Sequence, residues 1–127
     1  MLELLNFSDV LEIHEKVILP NELQGLAANK SLDAVMNRVE NRIHYGLIED
    51  VFDLAATYAV VIAVGHVFND ANKRTAFIAM DSCLRKNGII LEFHSESTGQ
   101  IIIKVAQGIM NEIELAQYLR TCPISPL

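Results

Sequence analysis

The sequence predicts an all-α fold: one compact domain of about six helices over residues 1–127, with at most a short β-like segment near 89–93. Three observations lead there. Apolar residues make up 51% of the 127 positions, with only three prolines and six glycines, a composition that supports a folded core and not disorder. Apolar positions recur at helical spacing in segment after segment. Those segments are bounded by residues that start and stop helices, and at this length a single domain is expected.

Taken in order, Ser8 with Asp9 and Glu12 predicts a first helix start, with Val10, Leu11, His14, Val17 and Ile18 on one stripe. Leu19-Pro20-Asn21 ends it, and residues 20–30 read as a loop around Gly25. Ser31 caps a second helix whose apolar face is Leu32, Val35, Met36, Val39 and Ile43. Its other face carries Arg38, Glu40, Arg42 and His44, read as a solvated face, with Arg38 and Arg42 as the alternative phosphate contacts. His14 and His44 read as structural or exposed groups and not as catalysts. After Gly46, a third helix from about Asp50 to Gly65 is apolar on nearly all sides, which marks it as buried. A fourth from about Asn72 to Lys86 stops at Asn87-Gly88. Ile89 to Phe93 is the β-like run, and helices at about Ser97–Met110 and Asn111–Thr121 close the chain before Pro123.

The third and fourth helices are joined by the most informative stretch: His66-Val67-Phe68-Asn69-Asp70-Ala71-Asn72-Lys73-Arg74. A polar cluster at the junction of two buried helices is costly unless something charged sits there. A phosphate fits, because free N–H groups and the helix dipole both favour an anion at a helix N-terminus. His66 has the one side chain in the cluster that ordinarily titrates near neutrality, so it is the candidate general base for a hydroxyl nucleophile. Asp70 offers hard carboxylate oxygens suited to magnesium bridging phosphate oxygens. Lys73 is a compact point charge and Arg74 a planar fork, a pair suited to phosphate. Asn72 can donate to a phosphate oxygen or brace the loop. Phe68 is an apolar peg that anchors the loop to the core. Taken singly, His66 reads as a C-cap, Asp70 as an N-cap and Lys73-Arg74 as a solvated face; together within nine residues they point to one anion site.

Whole-chain properties narrow the classes. The formal net charge of −6 argues against a nucleic acid partner, which usually demands a basic face. Lys73 and Arg74 against that acidic background suggest a small, focused anion site. Cys83 and Cys122 form no metal or redox motif, so a reduced cytoplasmic protein is the default. The apolar run Leu54–Phe68 falls short of the roughly 20 residues that span a bilayer, and no signal-peptide pattern precedes it. No membrane association is expected.

The stretch H-V-F-N-D-A-N-K-R resembles the signature of the Fic/Doc superfamily, whose general form is His-x-Phe-x-(Asp/Glu)-Gly-Asn-(Gly/Lys)-Arg. Ala71 stands at the first glycine position and Lys73 at the second, and Ala-Asn-Lys-Arg is similar to the Doc branch, whose toxins belong to phage and bacterial toxin–antitoxin pairs. The likeness extends through R-V-E-N-R-I-H-Y at 38–45, D-V-F-D-L-A-A-T-Y at 50–58 and L-R-K-N-G at 84–88; residues 1–30 and 91–127 fit in length and helical character only.

The resemblance implies a helical Fic/Doc-type domain with His66 catalytic, Asp70 at magnesium, and Asn72, Lys73 and Arg74 at the phosphates of ATP. In the glycine-bearing form of the motif the family transfers a nucleoside monophosphate to a protein hydroxyl. The Doc branch implies instead a nucleotide bound in reverse and a γ-phosphate transferred to a serine or threonine, the known target being elongation factor Tu and the consequence arrested translation. It also implies an antitoxin whose C-terminal segment folds on binding. Two alternatives stand beside this reading: AMP transfer with Lys73 merely tolerated, and a catalytically silent partner-binding module. His66, Asp70, Asn72 and Arg74 together speak against silence. Ser8-Asp9-Val10-Leu11-Glu12-Ile13 has the spacing of the family's restraining helix but ends in Ile13, so restraint is expected from a separate chain.

Overall fold

The computed structural model describes residues 1–126 as six helices: α1 (Phe7–Val17), α2 (Leu32–His44), α3 (Val51–Gly65), α4 (Asn72–Lys86), α5 (Ser95–Ala106) and α6 (Glu112–Thr121). The all-α expectation holds. Helix α3 lies at the centre, packed most extensively on α4 and then on α6, α2 and α5. Its small residues explain this: Ala55, Ala56, Ala59 and Ala63 are fully buried and let neighbours approach closely, while Leu54, Ile62 and Tyr58 fill the remaining space. From α4 come Ala76, Ala79, Met80, Cys83 and Leu84, all fully buried. Burial raises the Cys83 thiol to about 12, as befits an inert core sulfur. Among the described residues no helix is long and apolar enough to cross a membrane.

Caps fix most boundaries. Asp50 accepts from the Asp53 N–H at 2.9 Å and so starts α3, and Arg120 of α6 reaches both carboxylates, at 3.0 and 2.8 Å. At the start of α1 the cap is Asn6 and not Ser8. Asn6 accepts from the Asp9 N–H at 2.9 Å while Asp9 accepts from the Asn6 N–H at 2.8 Å, a reciprocal box. Helix α4 stops where expected: Gly88 takes φ +82, its N–H bonds Arg85 C=O at 3.0 Å, and the Ile89 N–H bonds Leu84 C=O at 2.9 Å. The same motif ends α5 four residues before the expected Met110, with Gly108 at φ +75. Ile109 and Met110 prolong the apolar pattern although the backbone has already turned. Residues 89–93 supply one antiparallel bridge, Leu91 to Ile124, flanked by Glu92 N–H to Pro123 C=O at 2.8 Å. Arg42 pairs with Glu112 at 3.0 Å across to α6, so it fastens helices and does not stand free for phosphate.

Two features hold α3 in place beneath the motif. The Tyr58 hydroxyl, 1% exposed, accepts from the Leu5 N–H and donates to Leu5 C=O, both at 2.9 Å. That closes the chain's N-terminus over the core, and burial lifts the phenol to about 12. At the C-terminal end of α3, a Cβ on Gly65 would lie 2.9 Å from a methyl of buried Val35. Gly65→Ala is therefore expected to cost about 1 kcal/mol, net of the helix propensity that alanine gains, because a β-branched neighbour in a packed core cannot step aside. Denaturant melts of Gly65→Ala, Val35→Ala and the double variant test this. The pair should cost less than the sum of the singles, and strict additivity would contradict the contact.

Candidate active site

Between α3 and α4 the chain makes a loop that turns its middle inward and its flanks outward. Val67 and Phe68 are buried at 0% and 2%, while His66 and Asn69 are exposed and Asp70 is half-buried. The two junctions are both left-handed: His66 has φ +46 and Ala71 φ +66. Non-glycine residues hold this conformation at a cost, so it persists where the surroundings fix it, commonly at functional sites. It also explains why glycine suits the position of Ala71.

What fixes the loop is a set of specific bonds. The Asn72 amide accepts from the Phe68 N–H at 3.1 Å and donates to Phe68 C=O at 2.9 Å, closing the loop on itself. Of its two anticipated tasks, bracing is the one its side chain performs here. Phe68 is the expected anchor in the core. On the other side the loop pairs antiparallel with the α1–α2 connection: Leu26 bridges Phe68, Ala27 N–H bonds Val67 C=O at 2.8 Å, and Asn69 N–H bonds Gly25 C=O at 3.1 Å. The Asn69 side chain adds a bond to Gln24 C=O at 2.8 Å. Residues 20–30, read from sequence as a plain loop, thus lend the motif a strand-like edge.

Asp70 does not cap α4. Its Oδ2 accepts from the Leu23 N–H at 2.9 Å, and among the described residues Oδ1 takes no hydrogen bond. Helix α4 begins without any side-chain cap, leaving the N–H groups of its first turn available. Lys73 and Arg74 are both exposed in that turn. Lys73 makes no ion pair among the described residues. Arg74 donates to Val17 C=O at 2.7 Å, at the carbonyl end of α1, and pairs with Glu22. The Arg74 guanidinium, and then the Leu19 N–H, hold the Glu22 carboxyl below its ordinary range. The His66 ring takes no hydrogen bond among the described residues and stands open at the end of α3.

Three participants escaped the sequence reading: Glu22, Leu23 and His14. His14 is 2% exposed, stacks on Phe68 with ring centroids 3.7 Å apart, and places Nε2 at 2.9 Å from Asp70 C=O. Its place on the apolar stripe of α1 gave its burial, but nothing local could give its partner 56 residues away.

Chemically, the site offers an open imidazole, a carboxylate with a free oxygen, an uncapped helix start and two cations within one loop and one turn. Among the described residues no three His, Cys, Asp or Glu side chains converge as a ready-made metal cage. A single half-buried carboxylate suits magnesium, which keeps waters and shares phosphate oxygens.

Comparison with known proteins places the chain in a family. The family model described as the Fic/DOC family matches residues 4–84, from just before α1 into the last turn of α4. The chain is 38% identical over 98 residues to the "Protein kinase doc" of Escherichia phage P1, an alignment covering 77% of each protein. The match extends well beyond the nine-residue motif and takes in α1, whose His14 and Val17 touch the loop and Arg74. This chain belongs to the Fic/DOC family.

Proposed function

We propose that this protein is a Doc-type toxin: an ATP-dependent protein kinase that phosphorylates a serine or threonine hydroxyl, with elongation factor Tu as target and arrested translation as outcome. The observation that carries this is the uncapped start of α4, bearing Lys73 and Arg74, set directly after a loop that leaves His66 open. The similarity to a protein named as a kinase supports phosphate as the group moved.

In this reading His66 accepts the hydroxyl proton at a ring nitrogen as the oxygen attacks the γ-phosphorus. The bond from that phosphorus to the β,γ-bridging oxygen breaks, and ADP leaves. Phosphoryl transfer asks the protein mainly for positioning and charge stabilisation. The first-turn N–H groups of α4 and the Lys73 ammonium meet phosphate oxygens. Arg74 joins them once it exchanges Glu22 for phosphate. Asn72 keeps the loop closed beneath. Asp70 would hold magnesium through Oδ1, and the ion, when bound, neutralises phosphate charge.

A groove of about 630 Å³ between α4 and α5 opens beside Lys73 and Arg74, walled by Phe77, Ile78, Phe93, Ile102 and Ile103. Its apolar lining suits the antitoxin's C-terminal segment, folded as an amphipathic helix on binding. Expression alone should arrest growth, and co-expression with a cognate antitoxin, sought as a small open reading frame beside the gene, should restore it. Growth unaffected by expression, or arrest that this partner does not relieve, would count against the toxin reading.

Asp70→Asn tests the metal assignment. The amide keeps the shape and can still accept from Leu23 N–H, so the fold should survive. Half-maximal activity should require roughly tenfold more magnesium or beyond. A magnesium titration superimposable on wild type would make Asp70 a loop residue only.

A further inference from the structure

The geometry points to His14 as a positioning residue for transfer: it sets the direction of the Asp70–Ala71 peptide at the head of α4. A carbonyl oxygen only accepts, so the 2.9 Å contact to Asp70 C=O requires the proton of the imidazole to sit on Nε2. Among the described residues no other group bonds this carbonyl. The peptide precedes the first helical bond of α4, Thr75 N–H to Ala71 C=O at 3.0 Å, and the helix start has no side-chain cap. Neither helix nor cap therefore fixes it; Leu23 holds the Asp70 side chain, and His14 is what bonds the peptide itself.

The consequence follows from peptide planarity. Among the described residues no peptide is cis, and in a trans unit the C=O and N–H point in opposite directions. With Asp70 C=O drawn towards α1, the Ala71 N–H points away from α1, at the uncapped start of α4. That donor then belongs to the set facing a phosphate, and its direction is inherited from His14. The stack on Phe68, at 3.7 Å and 4° between ring planes, holds the imidazole against the other end of the same loop. One buried ring thus grips the loop two residues apart, by a face at Phe68 and a proton at Asp70. A histidine needed only to fill space would have no use for the second grip.

The catalytic consequence rests on the kinase reading above, but the grip itself does not. Two variants separate its parts. His14→Phe keeps an aromatic face on Phe68 and removes the donor, whereas His14→Gln keeps an N–H of similar reach and removes the stack. Three measurements follow on the full chain. In His14→Phe, the affinity for a non-hydrolysable ATP analogue, read from the Ala71 and Lys73 amide resonances, should fall roughly tenfold, the effect of one lost buried hydrogen bond. Its kcat should fall by a similar factor or more with the KM for the protein substrate unchanged. His14→Gln should recover most of both losses. Hydrogen exchange at the Phe68 and Asn69 amides, which needs no nucleotide, should accelerate about tenfold in His14→Phe relative to α6. Wild-type exchange rates in His14→Phe, or His14→Gln performing no better than His14→Phe while equally folded, would overturn the assignment. A wild-type chain that transfers nothing would fell the kinase reading, while the exchange rates would still decide the role of His14.

Discussion

His66→Ala is expected to lower transfer by roughly 10³-fold, the share general-base catalysis commonly supplies, and to abolish toxicity on expression. The fold should be untouched. His66 is exposed at the end of α3, its ring bonds no described residue, and alanine accepts the same left-handed backbone that Ala71 already adopts nearby. A change in stability of more than about 0.5 kcal/mol would be out of keeping with such a position. Growth curves at matched protein level, with a thermal melt of each purified chain, read both halves. Equal toxicity of the two chains would remove His66 from the chemistry.

Lys73→Gly should have the second largest effect. It replaces an exposed cation in the first turn of α4 with the glycine found in the nucleoside-monophosphate-transferring form of the motif. The Doc-type reading gives this ammonium the task of meeting phosphate charge and steering the nucleotide so that its γ-phosphate faces His66. Without it, γ-phosphate transfer should drop by about 10²-fold, in line with the loss of one charge-stabilising donor. AMP transfer should appear weakly or not at all, since Ala71 still departs from that motif and Asn72 still braces the same loop. Mass spectrometry of the target separates the two products by added mass. A Lys73→Gly chain that phosphorylates as well as wild type would strip the lysine of this role.

The helical frame was legible because its punctuation is local. The caps that Ser31 and Asp50 make and the stop at Asn87-Gly88 each work within four residues, and they set the starts of α2 and α3 and the end of α4. Errors arose where local signals competed. Ser8 is a sound cap residue, but Asn6 with Asp9 makes the reciprocal box and prevails. Ile109 and Met110 continue the apolar rhythm of α5 beyond Gly108, whose left-handed backbone has already ended the helix.

The candidate site could be proposed from sequence for a related reason: its candidate groups lie within nine consecutive residues, 66–74. What surrounds them was not. Glu22 meets Arg74 across 52 residues and Leu23 meets Asp70 across 47, both from a connection with no regular periodicity. Such contacts are set by how α1 packs on α4, which no window of sequence contains. The same holds for the pairing of Gly25, Leu26 and Ala27 with the motif loop. Asp70 illustrates the result: read alone it is a cap, yet here its carboxylate is tied to Leu23 and leaves one oxygen for other use.

On the Doc-type reading a phosphate, not a nucleotide, is moved. Incubating the purified chain and elongation factor Tu with ATP labelled in the γ position, and in parallel with ATP labelled in the α position, tests it most directly. Label should reach the protein from γ-labelled ATP alone and be lost in His66→Ala. Label from α-labelled ATP would contradict it and make the chain an AMP transferase.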